Sequence, residues 1–151
     1  MTLERRYWDS DCFLGWLQAE DGKIEPCRQV LILAAKGDLE IITSALTIAE
    51  VLHLRGRQPI PPDRRKQVID FFKRSYIITM SITRRIAEDS RDLVWDHGIE
   101  PKDALHMATA IKAKVDVFNT FDKSLIGKSL QVGDPKLLIE TPTVAQRDLG
   151  V

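Results

Sequence analysis

Four carboxylates in this 151-residue sequence lie within stretches of otherwise apolar, core-type residues. An acid in such a setting is costly to bury unless a positive charge compensates it. Two carboxylates about 5 Å apart repel each other by roughly 3 kcal/mol at an effective dielectric constant of about 20. Hard divalent cations such as Mg²⁺ and Mn²⁺ prefer oxygen ligands, so converging carboxylates would suit them. The four candidates are Asp9, Glu50, Asp103 and Asp122.

Each of these acids also has a plainer explanation when it is considered alone. Asp9 could be an ordinary turn acid at the end of a strand, and Glu50 could be a solvated helix residue. Asp103 lies in the first turn of a predicted helix, where a carboxylate is stabilising without any ligand. Asp122 could cap the short helix expected at 123–126. Only the combination of the four favours a shared chemical role.

The composition is typical of an ordinary globular protein with one substantial core. Because 22 basic residues balance 22 acidic ones, the protein has no net charge that would attract nucleic acid. Any contact with nucleic acid must therefore come from a local basic patch. The two cysteines, Cys12 and Cys27, form neither a metal-binding spacing nor a disulfide framework, which favours a reducing cytoplasm. The sequence shows no signal peptide and no membrane span, so no membrane contact is expected.

Short β-branched or apolar runs alternate with segments of helical periodicity along the whole chain. Strands are predicted near 4–9, 39–43, 76–80, 115–119 and 136–139. Helices are predicted at about 11–19, 26–36, 46–55, 63–74, 82–97, 101–114 and 122–127. Strands separated by helices imply a mainly parallel sheet covered on both faces, which is a three-layer α/β/α sandwich. With no linker or repeat in the sequence, we expect a single domain over residues 1–151.

This architecture gives the four carboxylates a common place to meet. Asp9 and Asp122 fall at or just after the carboxyl ends of predicted strands. Glu50 and Asp103 lie on helices that neighbour the same edge. Ligands of open parallel sheets bind beyond the carboxyl ends of the strands. We therefore expect all four side chains to point into one crevice.

The segments around the four acids resemble the PIN-domain family of metal-dependent ribonucleases. The resemblance covers nearly the whole chain, and many compact members of that family are VapC-like toxins of type II toxin–antitoxin pairs. Each segment alone is a weak signal, whereas the four together are fairly specific. The matching segments are Tyr7-Trp8-Asp9-Ser10-Asp11, Leu46-Thr47-Ile48-Ala49-Glu50-Val51, Asp103-Ala104-Leu105-His106-Met107-Ala108-Thr109-Ala110 and Asn119-Thr120-Phe121-Asp122.

The resemblance implies an endoribonuclease whose four acids bind one or two Mg²⁺ or Mn²⁺ ions. It also implies that the hydroxyl of Thr120 supports Asp122, that cleavage leaves a 5′-phosphate and a 3′-hydroxyl, and that a cognate antitoxin restrains the protein. Homodimerisation is suggested in the same way. Two features depart from the family pattern: Asp11 replaces an uncharged polar residue, and Tyr7 and Trp8 interrupt an aliphatic first strand.

Residues 55–74 contain seven Lys and Arg residues against two Asp residues. Phosphate contacts supply much of the affinity for nucleic acids, so this stretch is a candidate RNA-binding rim. A solvated helix face would explain the same charges. The rim residues that we single out are Arg55, Arg57, Arg64 and Arg65.

Several other residues have structural roles as their first explanation. Asp11 could cap a helix or lie beside the acidic site. His106, one helical turn after Asp103, is expected to be a core or supporting residue rather than a metal ligand. Trp8, Trp16 and Trp95 are expected to anchor a core or an interface.

Two other functions fit parts of the sequence. The first is a PIN-fold module that binds RNA or protein without cutting, although such modules usually lose acids and this chain keeps all four. The second is a Mg²⁺-dependent phosphatase. Asp9-Ser10-Asp11 approaches the Asp-x-Asp-x-Thr pattern of some phosphatases, but Phe13 stands in the position of the Thr.

Overall fold

The computed structural model describes residues 3–144. The strands are β1 (Glu4–Trp8), β2 (Leu39–Ser44), β3 (Ile77–Met80), β4 (Val117–Asn119) and β5 (Ile139–Glu140). The helices are α1 (Ser10–Leu17), α2 (Ile24–Ala35), α3 (Ala45–Glu50), α4 (Arg65–Phe72), α5 (Arg84–His97), α6 (Pro101–Ala113) and α7 (Lys123–Ile126), with a 3₁₀ turn at Pro62–Arg64.

The five strands form one parallel sheet in the order β3-β2-β1-β4-β5, which confirms the predicted three-layer architecture. β1 is the central strand, and it pairs with both β2 and β4. Because every strand runs in the same direction, the chain leaves the sheet at the same edge after β1, β2 and β4. The site residues follow these strands.

A hydrophobic core packs against each face of the sheet, and β1 contributes to both. Trp8 belongs to the core that also contains Phe13 of α1 and Val30 of α2. Tyr7 belongs to the opposite core with Met107 of α6. Successive side chains of a strand point to opposite faces, so the two aromatic residues that depart from the family pattern each fill a different layer.

Side-chain caps determine where three of the site-bearing helices begin. Asp9 caps α1 by accepting a hydrogen bond from the backbone N–H of Cys12, and Ser44 caps α3 in the same manner. Asp122 caps α7, as one of the explanations from the sequence proposed. The alternative that Asp11 caps a helix is wrong, because Asp9 occupies that position.

Most predicted elements differ from the structure by one or two residues at their ends, and two differ by more. α3 ends at Glu50 instead of continuing to about residue 55, and residues 51–61 form a loop in which Gly56 has a φ of 79°. The backbone N–H of Ile60 donates to the carbonyl of Leu52, which closes this loop. β5 is shifted to Ile139–Glu140 from the predicted 136–139. Within residues 3–144, no helix is long and apolar enough to cross a membrane.

Candidate active site

A cleft of about 420 Å³ opens at the carboxyl edge of the sheet, and all four predicted carboxylates line it. Asp9 directly follows β1, Glu50 ends α3, Asp103 lies in the first turn of α6 and Asp122 precedes α7. The structure therefore brings together the residues that the sequence singled out. The other lining residues are Ser10, Asp11, Lys23, Leu54, Arg55, Arg57, Glu100 and His106.

Asp9 is the most buried of the four acids, with 5% of its surface exposed. Its Oδ1 atom accepts from the N–H of Cys12 at 3.1 Å, and its Oδ2 atom accepts from the hydroxyl of Thr120 at 2.6 Å. Burial and the charge of Asp11 raise the pKa of Asp9 to about 6, despite these hydrogen bonds. Both carboxylate oxygens are therefore oriented, and charging the group is costly.

The hydroxyl of Thr120 connects two of the acid-bearing segments. It donates to Asp9 and accepts from the backbone N–H of Asp122 at 3.1 Å. Thr120 is fully buried. Its contact with Asp122 is thus to the backbone, while the carboxylate of Asp122 accepts from the N–H and hydroxyl of Ser124.

Glu50 differs from Asp9 because it has strong hydrogen-bond donors. Its Oε1 atom accepts from Nε2 of His106 at 2.8 Å and also from the hydroxyl of Ser10. Burial works to raise the pKa of Glu50, but the hydrogen bonds from His106 and Ser10 outweigh it and hold that pKa below the ordinary value. His106 is 2% exposed, so it lies beneath the cleft as a supporting residue.

Burial is the main cause that raises the pKa of Asp103 to about 6, and the charge of Asp122 is the second. The charge of His106 only partly offsets the effects that raise the pKa of Asp103. Asp122 itself is exposed at the mouth of the cleft. At two of the four acids, Asp9 and Asp103, nearby positive charge therefore does not fully offset the negative charge of the carboxylate.

Asp11 lines the cleft but interacts with cations. Its Oδ1 atom accepts from Nζ of Lys23 at 2.9 Å and from Arg57 at 2.6 Å. Burial opposes the charge on Asp11, yet the hydrogen bonds from Lys23 and Arg57 hold its pKa below the ordinary value. Arg57 also pairs with Glu20, which fixes the loop at 51–61 to the segment between α1 and α2.

The four predicted rim arginines do not share one location. Arg55 and Arg57 line the cleft. Arg64 donates to the carbonyl of Leu17 and to Gln18, and Arg65 lines a separate apolar groove beside α3. The RNA-contact prediction therefore has geometric support only for Arg55 and Arg57.

Sequence reasoning missed Lys23, the other cation of the cleft. The stem of this side chain lies against Gly15, where an added Cβ would come within 2.9 Å of Cβ of Lys23. Its ammonium group lies 5.4 Å from the centre of the Phe121 ring. No local pattern around Lys23 signals this position, because these contacts are made with α1 and with Phe121, which follows β4.

The donor set of the cleft fits a hard divalent cation in its chemistry and charge. All four acids offer oxygen ligands, and the raised pKa values of Asp9 and Asp103 show that negative charge there is under-compensated. Within residues 3–144, however, no three His, Cys, Asp or Glu side chains are already arranged to hold a metal ion.

The raised pKa values predict how stability depends on pH in the absence of divalent metal. Asp9 and Asp103 bind protons more tightly in the folded state than in the unfolded state. Their contribution to the free energy of unfolding should therefore fall as the pH rises from the ordinary value of 3.8 to about 6. Chemical denaturation of the wild-type protein and of Asp103→Asn across this window measures the effect.

The substitution should flatten the decline in stability, whereas Asp96→Asn, on the exposed surface of α5, should leave it unchanged. Equal pH dependence in the wild type and in Asp103→Asn would contradict the environment that we assign to Asp103.

The family model described as the PIN domain matches residues 7–128. Among solved structures, the Mycobacterium tuberculosis VapC20 toxin, which cleaves the sarcin–ricin loop, has a TM-score of 0.66 at 15% identity, covering 81% of this chain and 93% of its own. The Rickettsia felis VapBC2 complex bound to a promoter DNA fragment has a TM-score of 0.63 at 15% identity, covering 91% and 98%. A toxin–antitoxin complex from Klebsiella pneumoniae has a TM-score of 0.58 at 17% identity, covering 80% and 89%.

No functionally curated protein is significantly similar to this sequence. At these low identities, the solved structures establish a shared fold. The family model spans most of the chain, including all four acids of the cleft. The protein therefore belongs to the PIN-domain family.

Proposed function

We propose that this protein is a Mg²⁺- or Mn²⁺-dependent endoribonuclease that hydrolyses RNA phosphodiester bonds in the acidic cleft. One observation carries the proposal: Asp9, Glu50, Asp103 and Asp122 line a single cleft in which the charges of two acids are under-compensated. Membership of the PIN-domain family supports a nuclease. The apolar setting of these acids costs stability, and a bound cation would offset that cost.

Asp9 has a different role in this proposal from Asp103 and Asp122. Asp9 is the rigid member, because Cys12 and Thr120 hold both of its oxygens. Asp103 and Asp122 would complete the cation site from α6 and the start of α7. A divalent ion held by these residues would supply an acidified water molecule for attack on the phosphodiester and would offset charge on the phosphate.

The cleft also contains cationic side chains that suit the RNA backbone. Arg55, Arg57 and Lys23 line it together with the carboxylates. Arg57 and Lys23 are paired with acids, whereas Arg55 is exposed on the loop that Arg57 fixes. We infer that Arg55 makes the first contact with phosphate and that Arg57 chiefly positions the loop.

We also propose that the protein is the toxin of a toxin–antitoxin pair. The VapC20 relative is described as a toxin, and the Klebsiella pneumoniae relative was solved as a toxin–antitoxin complex. A ribonuclease that acts on the RNA of its own cell requires restraint, so a cognate antitoxin protein is the expected partner. A homodimer remains a prediction from the family resemblance.

A non-catalytic PIN-fold module that binds RNA or protein is the second candidate. The observation that favours it is the lack, within residues 3–144, of three side chains already arranged around a metal position. Retention of all four acids favours the nuclease instead, because an RNA-binding module gains nothing from buried carboxylates that repel phosphate.

The nuclease proposal predicts that metal-dependent cleavage requires Asp9 and Asp103. Purified wild-type protein, Asp9→Asn and Asp103→Asn should be compared on a panel of mixed RNAs in Mg²⁺, Mn²⁺ or EDTA. We expect cleavage only with divalent metal, and a loss of about 100-fold or more in each variant. Asp96→Asn is the matched control and should cut at the wild-type rate.

Cleavage in EDTA at the wild-type rate, or full activity in both acid variants, would contradict the proposal. Failure to cut any RNA, together with failure to bind either metal, would favour the non-catalytic module.

The location of Arg55 in the cleft predicts that it contributes more to RNA binding than Arg65, which lies outside the cleft. Binding of single-stranded RNA in EDTA should be measured at several salt concentrations, so that no cleavage occurs. The plot of log K against log salt has a negative slope, and losing one phosphate contact in Arg55→Gln should make that slope shallower by about 0.7. Arg65→Gln removes the same charge outside the cleft and should preserve the slope. Equal slopes in the two variants would contradict the assignment of Arg55.

A further inference from the structure

A buried chain of polar contacts connects three of the elements that carry site acids. The hydroxyl of Tyr7, in β1, lies 2.7 Å from Nδ1 of His106, in α6. The other ring nitrogen, Nε2, lies 2.8 Å from Oε1 of Glu50, at the end of α3. Tyr7 is fully buried and His106 is 2% exposed, so water does not compete for these contacts.

The direction of the contact with Glu50 follows from its chemistry. An ionised carboxylate can only accept hydrogen bonds, so Nε2 of His106 must carry a proton and donate it. The contact between Nδ1 and the hydroxyl of Tyr7 then fixes the orientation of the imidazole ring. Both ring nitrogens are held, and Nε2–H points in a defined direction.

The donors leave the two oxygens of Glu50 in different environments. The hydrogen bonds from His106 and Ser10 both end at Oε1, and Oε2 receives neither. Glu50 is the last residue of a six-residue helix and is followed by the loop at 51–61, so its backbone alone restrains the carboxylate weakly. The side-chain contacts supply that restraint.

We propose that Tyr7 and His106 are positioning residues that fix the carboxylate of Glu50, so that Oε2 is presented to a divalent cation in the cleft. This inference rests on the proposed metal dependence of the protein. It assigns a function to the aromatic residue that departs from the aliphatic first strand of the family. Partners behind a metal ligand typically change metal affinity by about 10–100-fold when they are removed.

The packing role of Tyr7 can be separated from the role of its hydroxyl. Its ring stacks on Phe118 with 4.9 Å between ring centres, and phenylalanine would keep that contact. Tyr7→Phe therefore removes the bond to Nδ1 while the core stays filled. Tyr76→Phe is the matched control, because the hydroxyl of Tyr76 bonds Arg74 on the surface away from the cleft.

The experiment is a double-mutant cycle on Mn²⁺ affinity, measured by calorimetry without RNA. The four proteins are the wild type, Tyr7→Phe, Glu50→Gln and the double variant. We expect Tyr7→Phe to weaken Mn²⁺ binding by about 10-fold in the wild-type background. With Glu50→Gln already present, the same change should matter by less than about twofold, since its effect acts through Glu50.

A general structural role would give equal losses in both backgrounds, and that result would overturn the inference. An unchanged affinity in Tyr7→Phe, or a wild-type protein that binds no Mn²⁺, would also overturn it. Tyr76→Phe should bind Mn²⁺ as the wild type does. His106→Gln, which removes the other end of the chain, should also weaken binding in the wild-type background, whereas unchanged affinity would count against the inference.

Failure of the positioning role can be distinguished from failure of the nuclease proposal. Metal-dependent RNA cleavage with unchanged Mn²⁺ affinity in Tyr7→Phe overturns the positioning role and leaves the nuclease standing. Coupled Mn²⁺ affinities in a protein that cuts no RNA support the positioning role and count against the nuclease.

Discussion

Repulsion among carboxylates at one edge of a parallel sheet is the constraint on which the site depends. The fold delivers Asp9 and Asp122 to this edge at the ends of neighbouring strands, and α3 and α6 add Glu50 and Asp103. Burial, together with the charge of Asp11 beside Asp9 and of Asp122 beside Asp103, raises the pKa of Asp9 and of Asp103 to about 6. Protons relieve this repulsion below that pH, and above it the cleft has an excess of negative charge that a cation would neutralise.

The surrounding residues respond to this charge in two ways. Donors such as Thr120 and His106 orient individual carboxylates through hydrogen bonds. Asp11 instead pairs with Lys23 and Arg57 and so holds two cationic side chains in the cleft. The cleft therefore contains carboxylates that suit a cation and basic side chains that suit phosphate, although the net charge of the whole chain is zero.

Local sequence patterns predicted the parts of this arrangement that depend on local physics. Alternation and β-branching located the strands, and the parallel architecture then placed Asp9 and Asp122 at one edge. The end of α3 was predicted too late, because helical periodicity continues beyond Glu50 while the loop at 51–61 is closed by tertiary contacts. Tertiary contacts also explain why the positions of Lys23, Arg57 and the Tyr7–His106–Glu50 chain were not predicted. Their partners lie 12 to 99 residues away in sequence, and local periodicity carries no information about such pairs.

The most direct test of the cation site is to count the protons that leave the protein when Mn²⁺ binds. Calorimetry in buffers with different ionisation enthalpies gives this number without any substrate. With Asp9 and Asp103 each about half protonated near pH 6, we predict the release of about one proton per site at that pH and almost none near pH 8. Asp103→Asn should reduce the release by about half. Mn²⁺ binding without proton release near pH 6, or no binding at all, would contradict the account.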